Sequence, residues 1–478
     1  MKRFITSEDR SQTLLFPERL DDYIDEENPV RVVEVFVEEL DLAALGFDGA
    51  MPADTGRPAY HPGVLLKLYI YGYLNRIASS RRLERESQRN LELVWLLSRL
   101  MPDFKTIADF RKDNGAAIRR VCAQFVLLCR RLSLFSEAMV AIDGSKFKAV
   151  NNRDRNFTRH KLVERLKQLE QSVGHYLEAL DRADREPERV PPGRVAHLRE
   201  KLTAAREQTR QLRAIGRELE RREDHQVSLT DPDARSMATS GRGTGMVGYN
   251  VQTAVDLKHH LIVTHEVTNV GHDRGQLATM AERTREALGT DSLTVLADRG
   301  YFDSEEIRAC EQAGIQPLVP KPQTSNSKAA GRFDKSDFRY IPEDDEYECP
   351  AGERAIHRFT TVEHGMQIHK YWSSACPRCP MKERCTTAPY RRITRWEHED
   401  VLERMQARLE WTPEASRLRR RTVEHPFGTL KAWMGSTHFL TRTLPRVRTE
   451  MSLWVLAYNL KRMMKILGTQ PLMQALQA

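Results

Sequence analysis

No run of apolar residues in this 478-residue chain approaches the roughly 18 needed to cross a bilayer as a helix, which argues against a membrane span. A secretory leader is missing as well: Met1-Lys2-Arg3-Phe4-Ile5-Thr6-Ser7-Glu8-Asp9 turns polar and acidic at once. The expectation is a cytoplasmic chain. Cysteine is scarce, with seven in all, and in that compartment thiols or metal ligands are expected rather than disulfides. A large excess of one charge is also lacking. Lys and Arg number 75 against 67 Asp and Glu, so the net charge of +8 permits binding to nucleic acid without requiring it.

What is present is ample apolar material, 40% of the chain, and length for about three domains at ~150 residues each. Residues 1–135 read as helical, with apolar residues at helical spacing in Val32–Leu45, His61–Asn75, Ser79–Leu97, Thr106–Asp113 and Ala116–Leu132. On the third of these, Arg81, Arg85 and Arg89 recur every four residues and would share a face. That face is either a phosphate-contacting stripe or a solvated surface balanced by Glu84 and Glu86.

The pattern then changes. Met139-Val140-Ala141-Ile142-Asp143-Gly144-Ser145 is an apolar run ending in an acid and a small-residue turn, which predicts a buried strand with Asp143 at its C-terminal end. Leu293-Thr294-Val295-Leu296-Ala297-Asp298 repeats the design. Between and beyond them, strands are predicted at Tyr249–Val255, His260–Thr264 and Gln316–Pro320, and helices at Arg274–Leu288 and Ser304–Ala313. This order suits a mixed α/β sheet with helices on its faces. Residues 156–225 interrupt it. Leu162, Leu166, Leu169 and Val173, then Leu198, Leu202, Ala205 and Leu212 after Pro191-Pro192-Gly193, follow heptad spacing and predict an antiparallel coiled-coil hairpin. Dimerisation, DNA contact and an inert spur are all open roles for it.

Residues 323–410 look irregular and hold Cys349, Cys376, Cys379 and Cys385 in a C-x26-C-x2-C-x5-C pattern. Such a set suits tetrahedral zinc, with His357, His364 or His369 as substitute ligands, while free thiols remain the other reading. Trp372 and Trp396 in the same stretch would either stack on an unpaired base or fill a small core. Helices resume over 411–470. There Arg420, Glu424 and Lys431, at −4, 0 and +7, would project from one face, and Pro426 would kink the helix or end a turn.

Two strand-end acids and a helix acid between cations are what metal-assisted phosphodiester chemistry asks for. Hard oxygen ligands hold Mg²⁺, and two ions about 3.5–4 Å apart activate a nucleophile and stabilise a leaving oxygen. Each acid taken singly has a plainer reading, as a turn former or a surface ion pair.

The blocks Ile142-Asp143-Gly144-Ser145, Ala297-Asp298-Arg299-Gly300-Tyr301 and Val423-Glu424-His425-Pro426-Phe427-Gly428 resemble those of DDE insertion-sequence transposases, in particular the bacterial family numbered eleven-eighty-two. Thr230-Asp231-Pro232-Asp233-Ala234-Arg235, Gly248-Tyr249-Asn250, Tyr60-His61-Pro62 and Ala457-Tyr458-Asn459-Leu460-Lys461-Arg462 extend the likeness over nearly the whole chain. The resemblance implies a ribonuclease H-like core at 136–322 and 411–470, with Asp143, Asp298 and Glu424 holding two Mg²⁺ or Mn²⁺ ions. It further implies a DNA-binding N-terminal region, a homodimer in the synaptic complex and a nucleoid location. Arg420, Glu424 and Lys431 match the family's signature around the glutamate. Arg417 stands at its tyrosine position, where a guanidinium could also hold phosphate. A nuclease that cuts without joining, and a catalytically silent DNA-binding descendant, are the alternative readings.

Overall fold

The computed structural model describes residues 19–52, 58–135, 139–151, 153–186, 188–238, 245–322 and 326–477; the Met1–Asp9 stretch read above lies outside them. Helices come first: α1 (Pro29–Glu38), α2 (Pro62–Leu74), α3 (Ser80–Ser87), α4 (Leu91–Leu96), α5 (Phe104–Asp113) and α6 (Gly115–Arg131). Asn28 starts α1 by accepting the Val30 N–H at 2.9 Å, ahead of a proline at the first helical position. The expected single helix over Ser79–Leu97 is two. Asn90 caps α4 by accepting the N–H groups of Glu92 and Leu93, and so breaks the run.

The main sheet begins with β1 (Met139–Lys148). A short pair, β2 (Asn156–Thr158) and β3 (Gln226–Ser228), closes the base of a hairpin formed by α7 (Arg159–Arg185) and α8 (Pro192–Glu220). Phe157, Leu162, Leu169, Leu212, Leu219 and Val227 belong to a small core of the hairpin's own. Then follow β4 (Arg235–Ala238), β5 (Gly245–Asp256), β6 (Ile262–Thr268), α9 (Leu277–Leu288), β7 (Leu293–Leu296), α10 (Ser304–Gln312) and β8 (Ile315–Leu318). Strand order is β5-β1-β7-β8, with β4 and β6 dividing the outer edge of β5. The β1–β5 pair is antiparallel; β1–β7 and β7–β8 are parallel. A Cβ at Gly248 would run into the Phe147 carbonyl oxygen, so glycine lets these two long strands close up.

After the short helix α11 (Asn326–Ala329), the segment read as irregular is largely a second, antiparallel sheet. It comprises β9 (Arg339–Ile341), β10 (Glu346–Glu348), β11 (Arg354–Glu363), β12 (Met366–Trp372) and β13 (Ile393–Trp396). Its core is small, built on Phe338, Tyr347, Ala355, Tyr371 and Ile393. Trp396 is buried against the main sheet's cluster, whereas Trp372 is half-buried under the guanidinium groups of Arg358 and Arg392. The chain ends with α12 (Glu399–Trp411), α13 (Ala415–Gly428), α14 (Leu444–Leu467) and α15 (Thr469–Gln477).

The N-terminal helices are not packed apart from the rest. α14 is buried along most of its length, and one continuous cluster joins it to α1, α2 and α6 and to one face of the sheet. Within it Tyr73 meets Trp454 edge-on at 4.5 Å, and the Cys122 thiol donates to the Ser452 carbonyl. Cys122, Cys129 and Cys310 are buried thiols, as helix-core positions should be. Among the described residues no helix is long and apolar enough to cross a membrane.

Candidate active site

Parallel pairing of β1 with β7 ends at Ala141 opposite Leu296. Asp143 and Asp298 each lie two residues further on, so both acids stand at the same offset beyond the last paired residues of neighbouring strands. Asp298 thus stands just past the end of β7, but Asp143 is not at the end of its strand as expected: β1 runs on, paired with β5, to Lys148, and only its β7 edge is open beyond Ala141. Asp298 caps the following turn, its Oδ1 accepting the Gly300 N–H at 2.7 Å. Asp143 is mostly enclosed. Burial pushes its carboxyl up to about 6, Arg419 opposes that shift, and the charges of Asp298 and Asp273 add to it.

Arg419 comes from α13, with Nη1 3.1 Å from Asp143 Oδ2. This is attraction without an aligned hydrogen bond, because Nη1 is buried and has no hydrogen-bond partner. Lys431 approaches the same strand lower down. Its Nζ donates to Ser145 Oγ at 2.6 Å and the Lys146 carbonyl at 3.0 Å, over the Phe147 ring. Burial lowers the Lys431 pKa, and the Asp143 charge partly offsets this.

The expectation that Arg420, Glu424 and Lys431 share a face does not hold. Residues Thr429–Trp433 form a widened π turn, which breaks the helical phase before Lys431. Lys431 meets β1, while Glu424, Arg420 and Arg417 are exposed. Glu424 makes no hydrogen bond or ion pair among the described residues, and five residues from Arg419 it points about 140° away round the helix at ~100° per residue. Arg419, the residue before Arg420, is the one that lies next to Asp143. Pro426 does not end the helix; α13 runs through it to Gly428. Pro426 has no N–H to give the Thr422 carbonyl, so that carbonyl lacks its usual helical donor.

One carboxylate here was not foreseen. Asp273, in the loop before α9, reaches into the strand-end notch, where its Oδ1 accepts from Asn250 Nδ2 and Gln252 Nε2, both at 2.8 Å, with Lys146 Nζ at 3.4 Å. The sequence signal was faint. Asn250 and Gln252 alternate on β5 opposite Lys146 and Gly144, placing polar side chains where a buried strand should be apolar.

Several other residues of the quoted motifs tie the fold together. Asp231 accepts from Tyr249 Oη at 2.8 Å and the Thr443 N–H at 3.0 Å, and Asp233 accepts from the Leu444 N–H at 2.8 Å, so this stretch caps α14. Asn459 accepts the Ile262 N–H and donates to its carbonyl, each at 2.9 Å. Tyr458 and Arg462 hold the His260 and His259 carbonyls at the β5–β6 turn.

Of the proposed phosphate stripe, Arg81 lies against the Phe104 ring and Arg85 is exposed. Arg89 lies past the end of α3 and pairs with Glu86, so the three form no continuous helical row. Cys349, Cys376, Cys379 and Cys385 line one cavity, and burial together with the other three sulfurs raises the Cys385 thiol. His357 and His369 instead share Thr360 on β11 and β12, outside that cavity. Among the described residues, no three His, Cys, Asp or Glu side chains stand as a ready-made metal site. Asp298 Oδ1 and Asp273 Oδ2 both face Gly300, and the charges of both acids bear on Asp143, so the donors available here are the hard oxygens that suit a divalent cation.

The family model for the transposase DDE domain matches residues 221–460, and that for a transposase domain (DUF772) matches residues 18–113. No curated protein matches the chain. A solved structure, the cryo-EM structure of a piggyBac transposase synaptic complex with hairpin DNA, is similar at 8% identity and a TM-score of 0.33. The likeness covers 95% of this chain and 79% of that one.

Proposed function

The chain belongs to the transposase DDE domain family, and on that premise we propose that it cuts DNA at terminal inverted repeats and joins the freed 3′-hydroxyl to target DNA. The observation carrying this reading is the matched offset of Asp143 and Asp298 beyond the parallel β1–β7 pair. A sheet of order β6-β5-β1-β7-β8, in which only β5 runs against the direction of the other strands, supports a ribonuclease H-like core.

Asp143 and Asp298 would hold Mg²⁺ or Mn²⁺, and Glu424 would supply the third carboxylate. A pair of such ions activates water and stabilises the leaving oxygen. Bringing Glu424 in requires α13 to turn about its axis, and the π turn at Thr429–Trp433 offers a place for that rotation. Arg419, once released from Asp143, and Lys431 would neutralise phosphate beside the carboxylates, with Arg417 and Arg420 on the exposed side of the helix. The N-terminal helices, carrying Arg81, Arg85 and Arg89, would contact the repeats. Two copies would act together on paired ends, in the nucleoid. The four-cysteine cavity would take a structural Zn²⁺, a staple for a sheet whose core is too small to be stable alone.

The test is strand transfer. Precleaved repeat ends, target plasmid, Mg²⁺ and the full chain should give joined products; cleavage of uncut ends without joining would replace this reading with that of a nuclease.

A further inference from the structure

Asp273 stands apart from the three acids of the family signature, yet its environment is built. Gly144 leaves room for it, since a Cβ there would collide with Asp273 Oδ1 and Gln252 Nε2. Asn250, Gln252 and Lys146 all converge on that one oxygen, Oδ1. The second oxygen takes no hydrogen bond and faces the turn of Asp298: Asp273 Oδ2 and Asp298 Oδ1 both lie within 4 Å of where a Gly300 Cβ would stand.

A second observation points to a cation. Asn250 is fully buried, and its Nδ2 is committed to Asp273, which fixes the amide's orientation. Its Oδ1 is left without a partner, beside Gly144 at the edge of the same notch. A buried carbonyl oxygen without a donor costs about 1–3 kcal/mol, and a hard cation or its hydration shell relieves that cost. Thr253, opposite Asp143 on β5, is likewise buried with an unpartnered hydroxyl.

We propose that Asp273 contributes its free carboxylate oxygen to the divalent-ion site of Asp143 and Asp298, with Asn250 and Gln252 as the residues that position it. The inference rests on the metal-dependent reading above. It makes the strand-end notch a three-aspartate site on the sheet itself, able to hold an ion before α13 delivers Glu424.

Calorimetric titration of the full chain with Mn²⁺, without DNA, tests this directly. Asp273→Asn should weaken Mn²⁺ binding by about 10–100-fold, the range seen when groups supporting a metal are removed, with Asp298→Asn at least as severe. Wild-type affinity in Asp273→Asn alongside lost binding in Asp298→Asn overturns the proposal and leaves the metal-dependent reading standing. Unchanged binding in both overturns both. A measurement on the wild-type chain guards against a variant that does not fold. Fe²⁺ with ascorbate and peroxide should cut the backbone near Asp273 as well as near Asp143 and Asp298. Cuts confined to the latter two positions overturn the role of Asp273.

Discussion

Arg419 Nη1 lies 3.1 Å from Asp143 Oδ2, so a carboxylate of the notch is held by a cation from the helix that carries Glu424. A divalent ion and this guanidinium compete for the same oxygen. At pH 8, above the Asp143 pKa of about 6, Arg419→Ala should therefore bind Mn²⁺ several-fold more tightly; losing the arginine raises that pKa, so the gain should fade as the pH is lowered. The same variant should bind DNA ends less well. Calorimetry and a gel-shift titration check the two halves; weaker Mn²⁺ binding would contradict the competition.

Asn459 clamps both backbone groups of Ile262, and all three partners are buried. Asn459→Ala leaves an N–H and a carbonyl unsatisfied, at about 2–4 kcal/mol in total. Urea denaturation should show that loss. A change below about 0.5 kcal/mol would mean that the turn finds other partners.

For the cysteine cavity the expectation is one Zn²⁺ per chain in native mass spectrometry, removed by Cys379→Ser with loss of order in the second sheet. Cys310→Ser should keep the ion, since that thiol is buried under α10. No zinc in the wild-type chain would leave four thiols around an apolar cavity.

The α7–α8 hairpin starts and ends at the β2–β3 pair and packs on its own small core. Replacing residues 160–222 with a short Gly-Ser linker should keep the chain folded, with single-end binding little changed and synaptic-complex formation weakened. Unfolding on excision would make the hairpin part of the main core. Circular dichroism and native gels with paired ends separate the outcomes.

Legibility of this fold in the sequence followed the range of each interaction. Asp143 and Asp298 showed because four apolar residues precede an acid in one short segment, though β1 runs five residues past Asp143; the hairpin showed because its heptads are local. The second sheet did not show, since β9, β10 and β13 are only three or four residues long and β11 is mostly exposed, leaving little alternation to read. Counting residues along α13 gave the wrong neighbours for Lys431 because a π turn changes the phase, and nothing local in Thr429–Trp433 announces one. Asp273 was missed for a related reason. Only the folded sheet brings Asn250 and Gln252 to Asp273 in the loop before α9, 23 and 21 residues away in sequence.

The central claim is that Asp143, Asp298 and Glu424 act as one metal-dependent cutting site. The most direct test incubates a labelled inverted-repeat end with Mg²⁺ and each of Asp143→Asn, Asp298→Asn and Glu424→Gln, scoring cleavage and end binding in the same samples. The account predicts that cleavage is abolished in all three while end binding stays within about twofold of wild type, since each change removes one charge and no apolar core packing. Cleavage retained by Asp143→Asn or Asp298→Asn would contradict the site itself. Cleavage retained by Glu424→Gln alone would contradict the third ligand.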